Sequence, residues 1–294
     1  MECKTRNCKK DSVISGYCKD HFLEYFEKKV FDTIKKYRLL NKDDKVAVAV
    51  SGGKDSLSTL YLLKKFGYNA EGLAIDEGIK GYRETTIKDL KNFSKKNKIK
   101  IQIIDFKKEF KTTLDSAVKK TSENPCHTCG VLRRFLLNKY SKGYDVIATG
   151  HNLDDEAQAI MMNILKAQTE LQARLGPVTG LKQSSGFTKR IKPLYLIKEK
   201  EVKAYTILKG FEVHFTECPY AHRSFRGEVQ NMLNILEEKK SGSKENLVKS
   251  FLRELPDIQE KFRTAGEVNE CLVCGEPAAK GVCRTCQLIE KIMN

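Results

Sequence analysis

Four short apolar runs constrain this chain more than any other feature. They are Val46–Val50 in "KVAVAV", then 70–76 ("AEGLAID"), 98–106 ("KIKIQIIDF") and 144–150 ("YDVIATG"). The first is apolar at every position, as a strand covered on both faces of a parallel sheet must be. Over 56–66, 83–97, 107–121, 130–142 and 152–168 the apolar residues return at helical intervals instead. Strands alternating with helices specify an α/β fold, a mainly parallel sheet with helices on both faces. Such folds bind ligands beyond the carboxyl ends of their strands. Upstream, Phe22, Phe26, Val30, Ile34 and Tyr37 mark an amphipathic helix over 22–40. Downstream, 198–210, 225–239 and 245–263 read as helices, and "KSGSK" (240–244) as a linker-like break.

The first strand run ends in "SGGKDS", Ser51 to Ser56, and a helix begins there. Gly52 and Gly53 let backbone N–H groups approach an anion, and the helix start adds free donors and a favourable dipole. Ser51, Lys54 and Ser56 offer further hydrogen bonds. This is neither the Walker loop nor GxGxxG, yet strand, loop and helix in this order form a phosphate cradle. "GHNLDDE" (150–156) stands in the same place after the fourth run, so His151, Asp154 and Asp155 are expected at the same sheet edge. A purely structural role is open to them too, since Asp154 as a cap and Asp155 in the first turn would each suit a helix start.

The ten cysteines are clustered. Cys3, Cys8, Cys18 and His21 form two short pairs divided by a loop, a Cys3His set for zinc in a segment too short to fold on an apolar core. Cys271, Cys274, Cys283 and Cys286 form two CxxC knuckles with the spacing of a zinc ribbon. Cys126 and Cys129 sit in "NPCHTCGVLRRF", ahead of the 130–142 helix, and cannot hold a cluster alone. Cys218, in "TECPYAHRSFRGE", is the one other cysteine outside the terminal modules. Three thiolates suit a four-iron cluster with one open iron. The rival readings are a zinc site completed by His127 or His222, and a redox pair with a persulfide on Cys218.

The formal net charge of +16 points to nucleic acid, because neutralising phosphate takes many Lys and Arg. No apolar run reaches membrane-spanning length and the N-terminus has no apolar signal core, so a cytoplasmic protein with no membrane partner is expected. Arg190, Lys192, Arg223 and Arg226 flank the proposed active-site segments and are the RNA-binding candidates. Phe187, Tyr220 and Phe225 lie among them and can stack on an unpaired base, although core packing accounts for each singly. The domains expected are an N-terminal zinc finger (1–24), a catalytic domain (25–240), a helical linker (241–266) and a zinc ribbon (267–294).

SGGxDS after an apolar strand resembles the PP-loop of the ATP pyrophosphatases, which cleave ATP between its α and β phosphates and activate a substrate oxygen as an adenylate. The whole series SGGKDS, PCxxCG, GHNLDDE, RIKPL and ECPY, with a cysteine module at each end, resembles the tRNA 2-thiouridine synthetases of the TtuA type and the related cytosolic wobble-uridine thiolases, archaeal proteins among them. The resemblance implies ATP-dependent 2-thiolation of a tRNA uridine. It implies an ATP site of Ala49, Ser51, Gly52, Gly53, Lys54, Asp55, Ser56, Ile75, Gly150 and Asp155, with magnesium, and catalysis by Lys54, Asp55, Arg133, Asp154 and Asp155. It implies a 4Fe–4S cluster on Cys126, Cys129 and Cys218 whose unique iron carries the incoming sulfur, two zinc ions in the terminal modules, sulfide or a thiocarboxylated ubiquitin-like protein as sulfur donor, and a homodimer. Two positions depart from the pattern. The first cysteine pair is Cys3-x4-Cys8 and not CxxC. Arg133 stands where TtuA-type members carry a catalytic lysine, and arginine stays charged and cannot act as a base; "CGVLRR" is closer to the wobble-uridine branch. The alternatives are a cluster-free thiolase working through a cysteine persulfide, a non-catalytic zinc-ribbon RNA-binding protein, and an enzyme that amidates or acylates another substrate.

Overall fold

The computed structural model describes residues 2–121, 123–179, 188–221, 225–262, 269–278 and 281–293. At its centre β1 (Lys45–Val50) pairs in parallel with β2 (Asn69–Asp76) on one side and β4 (Val146–Thr149) on the other. β3 (Ile101–Asp105) lies outside β2, β6 (Lys189–Ile191) outside β4, and β5 (Val178–Thr179) closes the edge antiparallel to β6. The order is β3-β2-β1-β4-β6-β5, so its direction of growth reverses between β1 and β4. A crevice opens at such a reversal, beyond the carboxyl ends of the two strands.

The period-two alternation of the strands divides the core. Val46, Val48 and Val50 of β1 and Ala70 and Ala74 of β2 face a cluster built with α1 (Lys19–Lys36), α2 (Lys54–Lys65), α3 (Arg83–Asn97) and α9 (Glu199–Leu208). Leu73 and Ile75 point the other way, onto α4 (Phe106–Phe110), α5 (Leu114–Lys120), α6 (Pro125–Tyr140) and the terminal helix α12 (Arg284–Met293). A third cluster joins α7 (Leu153–Leu165) to α10 (Phe225–Lys239) and α11 (Ser243–Lys261), with the short α8 (Thr169–Gln172) beside them. A small hairpin of β7 (Asn269–Glu270) and β8 (Pro277–Ala278) precedes α12.

Several expectations shift. The 107–121 helix is two helices, broken where Lys111 takes a left-handed φ of 56° and Thr113 caps α5 by accepting from the Ser116 N–H. α6 begins at Pro125 rather than 130, because Asn124 accepts from the Cys126 and His127 N–H groups and proline is pre-set for a first helical position. Cys126 and Cys129 therefore lie inside the helix. The helix expected over 245–263 is α11, and its Val248, Phe251 and Leu255 are buried with Leu153 and Ile160 of α7. The 24/25 boundary falls within α1. Among the described residues no helix is long and apolar enough to cross a membrane.

Candidate active site

The phosphate loop leaves β1 and is knitted by its own hydroxyls. The Ser51 N–H donates to Ser56 Oγ at 3.2 Å, the Gly53 N–H to Ser51 Oγ at 3.3 Å, and Ser56 Oγ to the Gly53 carbonyl at 3.0 Å. Gly53 caps α2 without a side-chain acceptor, so the N–H groups of the first turn face the crevice. Gly52 has φ 93°, and a Cβ there would stand 2.9 Å from the Thr86 carbonyl. A Cβ on Gly150 would meet the Asp55–Ser56 peptide at 2.8 Å. The loop after β1 is thus pressed against α3 at Gly52 and against the loop after β4 at Gly150, and both contacts require glycine.

Carboxylates ring the lysine. Lys54 Nζ donates to Asp55 Oδ2 at 2.8 Å and to Glu199 Oε1 at 2.9 Å. Asn152 Nδ2 donates to the other Asp55 oxygen at 3.0 Å. Burial pushes the Asp55 carboxyl up; Lys54 opposes this and Asp155 adds to it. Asp155 closes a capping box by accepting from the Asn152 N–H, and its other oxygen lies 3.8 Å from Arg226. It too is pushed up by burial, with Arg226 pulling down. His151, after β4, accepts from or donates to Thr149 Oγ1 at 2.9 Å. Dense surroundings, and then the cations Lys192, Arg226, Arg133 and Arg190, bring it down to about 3, so the ring is neutral at pH 7.

Asp154 is elsewhere. Its oxygens accept from the Glu199 N–H at 2.8 Å and from Lys244 Nζ at 2.6 Å, beside a cleft of about 380 Å³ between α7, α9 and the α10–α11 hairpin. It ties three helix ends together, and a catalytic role does not fit a carboxylate with both oxygens engaged away from the loop. Lys192 is a second correction. It is buried and paired with Glu156 at 2.6 Å, so it does not offer a surface charge to RNA. Arg190 is half-buried and donates to Asn138 of α6. Arg226 stays accessible. The candidates Phe187, His222 and Arg223 lie outside the described residues. Phe225 stacks under Lys166, at 4.8 Å, and the Tyr220 hydroxyl donates to Asp115 at 2.8 Å. Ala49 pairs in register with Leu73 and Thr149, and the Ile75 carbonyl accepts from Arg83.

The thiols face the same edge. Cys126 and Cys129 are one turn apart at the start of α6. Cys126 Sγ lies 3.5 Å from the Tyr220 carbonyl, which brings the segment carrying Cys218 over the helix start. Burial raises Cys218, and Cys126, Glu77 and Arg133 act on it as neighbours. Burial pushes Cys129 to about 12, with Glu77 reinforcing and Arg133 opposing. Arg133 sits one turn beyond Cys129, its Nε 3.2 Å from Glu77 Oε1. Glu77 and its second partner Arg83 were not singled out from sequence. The available signal was "DEGIKGYR", charged residues and two glycines just past the end of a buried strand.

At the termini four donors converge in each module. Cys3 Sγ and Cys18 Sγ lie 3.4 and 3.3 Å from His21 Nδ1, and Cys8 Sγ lies 3.9 Å from Cys18 Sγ. Cys271 and Cys286 are 3.9 Å apart, Cys274 and Cys283 3.7 Å. The edges of a zinc tetrahedron of sulfur and nitrogen are about 3.5–3.8 Å. Among the described residues these are the groups whose ligand atoms all fall within 4.8 Å of one another. The three middle thiols are not such a group. Thiolates on different irons of one cluster stand further apart than ligands of a single ion, so the spacing of these three thiols is one that a multi-iron cluster accommodates.

A glycine-rich phosphate loop at the switch point of a parallel sheet, closed by a second loop after β4, defines a PP-loop protein. Residues 22–219 match the PP-loop domain family. Over 98% of its length the chain is 41% identical to a tRNA-5-methyluridine(54) 2-sulfurtransferase of Pyrococcus horikoshii, covering 93% of that protein. It is 35% identical to the tRNA 2-thiolation protein NcsA of Haloferax volcanii, over 99% of each chain. The solved structure of the U34-tRNA thiolase NcsA from Methanococcus maripaludis, described with its 4Fe–4S cluster, superposes with a TM-score of 0.81 at 37% identity, covering 99% of this chain and 96% of that one. The chain belongs to this family of PP-loop tRNA 2-sulfurtransferases.

Proposed function

We propose that the protein uses ATP to replace O2 of a tRNA uridine by sulfur. The observation that carries this is the meeting of two unlike sites on one sheet edge: a phosphate loop, and three thiols gathered at the start of α6. An amidating or acylating enzyme has no use for the thiols, and a passive RNA-binding protein has no use for the loop. The first turn of α2, which has no side-chain cap, presents its N–H donors to the pyrophosphate end of ATP. Lys54 leaves Glu199 for the phosphates and stabilises charge as it moves to the leaving group. Asp55 and Asp155 would hold magnesium, whose hard, oxygen-loving character suits two carboxylates that disfavour each other's ionisation. Uridine, turned out of its stack, attacks the α-phosphorus through O2. The bond from that phosphorus to the bridging oxygen breaks, and pyrophosphate leaves. Arg133, charged at any working pH, holds the phosphate; it does not take a proton. Sulfide sulfur then bonds to C2, the C2–O2 bond breaks, and AMP departs.

Cys126, Cys129 and Cys218 would hold a 4Fe–4S cluster, which when bound supplies an iron without a protein ligand where sulfide can coordinate. Zinc in the two terminal modules is structural, since each has four protein donors and no open position. Arg226 and Arg190 line the approach of RNA. The sulfur source is sulfide or a thiocarboxylated ubiquitin-like protein, and the compartment the cytoplasm. Anaerobically purified protein with ATP, sulfide and unmodified tRNA should yield 2-thiouridine in nucleoside mass spectrometry. Lys54→Ala should lower pyrophosphate release on the order of 10³-fold. Cys218→Ala should leave ATP binding intact and abolish thiolation. Thiolation by the Cys218→Ala protein would sink the cluster reading, and an active protein free of iron would favour the persulfide route. Digestion of the product tRNA into positioned fragments distinguishes uridine 34 from uridine 54.

A further inference from the structure

Glu77 follows the last residue of β2 and is buried, its side chain 7% exposed. Each of its oxygens faces a different guanidinium. Oε2 lies 2.8 Å from Arg83 Nε, as a charge contact without hydrogen-bond alignment, and Oε1 lies 3.2 Å from Arg133 Nε. The two arginines have unlike surroundings. Arg83 is buried and immobilised: Nη1 donates to the Ser51 carbonyl at 2.7 Å and to Thr86 Oγ1 at 2.8 Å, and Nη2 donates to the Ile75 carbonyl. It therefore staples the carboxyl end of β2 to the first residue of the phosphate loop. Arg133 belongs to α6, with its side chain 41% exposed, and among the described residues Glu77 is the carboxylate within ion-pair reach of it.

Asp76 Oδ1 also stands 4.0 Å from Arg83 Nε, so the cluster holds two carboxylates and two guanidiniums, with the second carboxylate on the Arg83 side. A carboxylate devoted to Arg133 alone would hold it and neutralise it. Shared with Arg83, Glu77 holds Arg133 in place through its Nε, and the Arg133 side chain remains 41% exposed to meet an anion. The anchor is also rigid, because Arg83 is fixed to the strand ends from which the phosphate loop springs. We propose that Glu77 is a positioning residue for uridine activation: it sets the Arg133 guanidinium at a fixed distance from the phosphate loop by tying it to the arginine that staples that loop. This rests on the adenylation step proposed above, because that is where a fixed cation beside the α-phosphate acts.

The test uses full-length protein with ATP and tRNA and no sulfur source, reading tRNA-dependent pyrophosphate release. Glu77→Gln keeps the side-chain volume and removes the charge. The expected result is a kcat lower on the order of 10²-fold, the cost of misplacing a reacting group by about an ångström, with KM for ATP within about threefold of wild type. Arg133→Gln should show the same loss, and the double variant should fall no further, because the two act as a unit. Losses that multiply in the double variant, or a rise in KM that accounts for the whole effect, overturn the proposal. Glu77→Asp retracts the carboxylate while keeping its charge; it should lie between wild type and Glu77→Gln, and serves if the glutamine variant does not fold. A readout independent of the reaction is the side-chain Nε–H resonance of Arg133 in nitrogen-15-labelled protein. It should be ordered in wild type and averaged in Glu77→Gln, and an averaged signal in wild type overturns the proposal even if no pyrophosphate is released. Absence of tRNA-dependent release from wild type, with an ordered Arg133, counts against the proposed function and not against the anchor.

Discussion

The two cysteine modules have the same plan and opposite consequences. In each, the last ligands stand at the start of a helix that enters the core: Cys18 is the N-cap of α1 with His21 in its first turn, and Cys283 precedes α12 with Cys286 in its first turn. α1 buries Phe22, Phe26, Val30 and Ile34 against α2, α9 and the face of the sheet away from α6, with Phe26 stacked on Tyr205 at 4.2 Å. α12 buries Leu288 and Ile292 beside Leu132 and Leu136 of α6, the helix that carries Cys126, Cys129 and Arg133. Ion pairs hold that helix at both ends: Glu123, just before it, takes Arg284 and Lys291 at 3.1 and 3.2 Å, and Lys142, just after it, takes Glu276 at 2.6 Å. The N-terminal module therefore supports the sheet, and the C-terminal module supports the thiol helix. Similar local chemistry, three cysteines and a histidine at one end and four cysteines at the other, acquires its role from which side of the sheet its helix reaches.

The strongest way to break this comparison is to open each module in turn. Cys283→Ser should unfold the C-terminal module, because a structural zinc site is worth on the order of 10 kcal/mol to so small a fold. Hydrogen exchange should then rise in 125–140 while 54–65 stays protected and ATP still binds. Equal exchange in both segments would show that α12 braces the whole domain. Phe26→Ala on the other side should cost about 3–5 kcal/mol of global stability, read as a lower denaturant midpoint. The folded fraction should keep wild-type kinetics; a change in kcat would tie α1 to the site. Leu288→Ala should cost about 2–5 kcal/mol, with the loss concentrated in α6 exchange and in iron retained per chain after reconstitution.

The smallest expected effect is a pH dependence of the α12 tie. Hydrogen bonding from Lys291, and then the charges of Arg284 and Lys291, lower the Glu123 carboxyl below its ordinary value of 4.5. A depressed folded value means a contribution fully present above the unfolded value and lost as pH falls through the folded one. Protection of α6 should thus hold from neutral pH to about 5 and decline below 4.5, and Glu123→Gln should remove that slope. An unchanged slope in the variant would assign the acid sensitivity to another group.

The parts of the site legible in the sequence are those whose meaning is local. SGGKDS is a backbone shape between a strand and a helix, and it lies where its neighbours in sequence put it. The terminal modules are spacings of donors within a few residues. The thiols were legible only as a composition: Cys126 and Cys129 form a pair, and Cys218 was the remainder. Other features needed coordinates. Asp154 and Asp155 are adjacent in sequence, but one residue turns a helix by about 100°. That rotation sends Asp154 to Lys244 and the α10–α11 hairpin and keeps Asp155 beside Asn152 and Arg226. Lys192 looked like a surface cation until Glu156 was found 2.6 Å away in the interior.

The sequence by itself determined the α/β class, the phosphate loop, the two four-donor modules and the family, because hydrophobic period, glycine placement and ligand spacing are short-range properties of a chain. Only the tertiary structure decided that α6 begins ahead of its cysteines and is clamped by α12. It alone brought Glu77, just past the end of β2, together with Arg83 of α3 and Arg133 of α6. Such groupings depend on the stacking of elements far apart in the chain, where burial and a shared counter-charge, and not adjacency, select the partner.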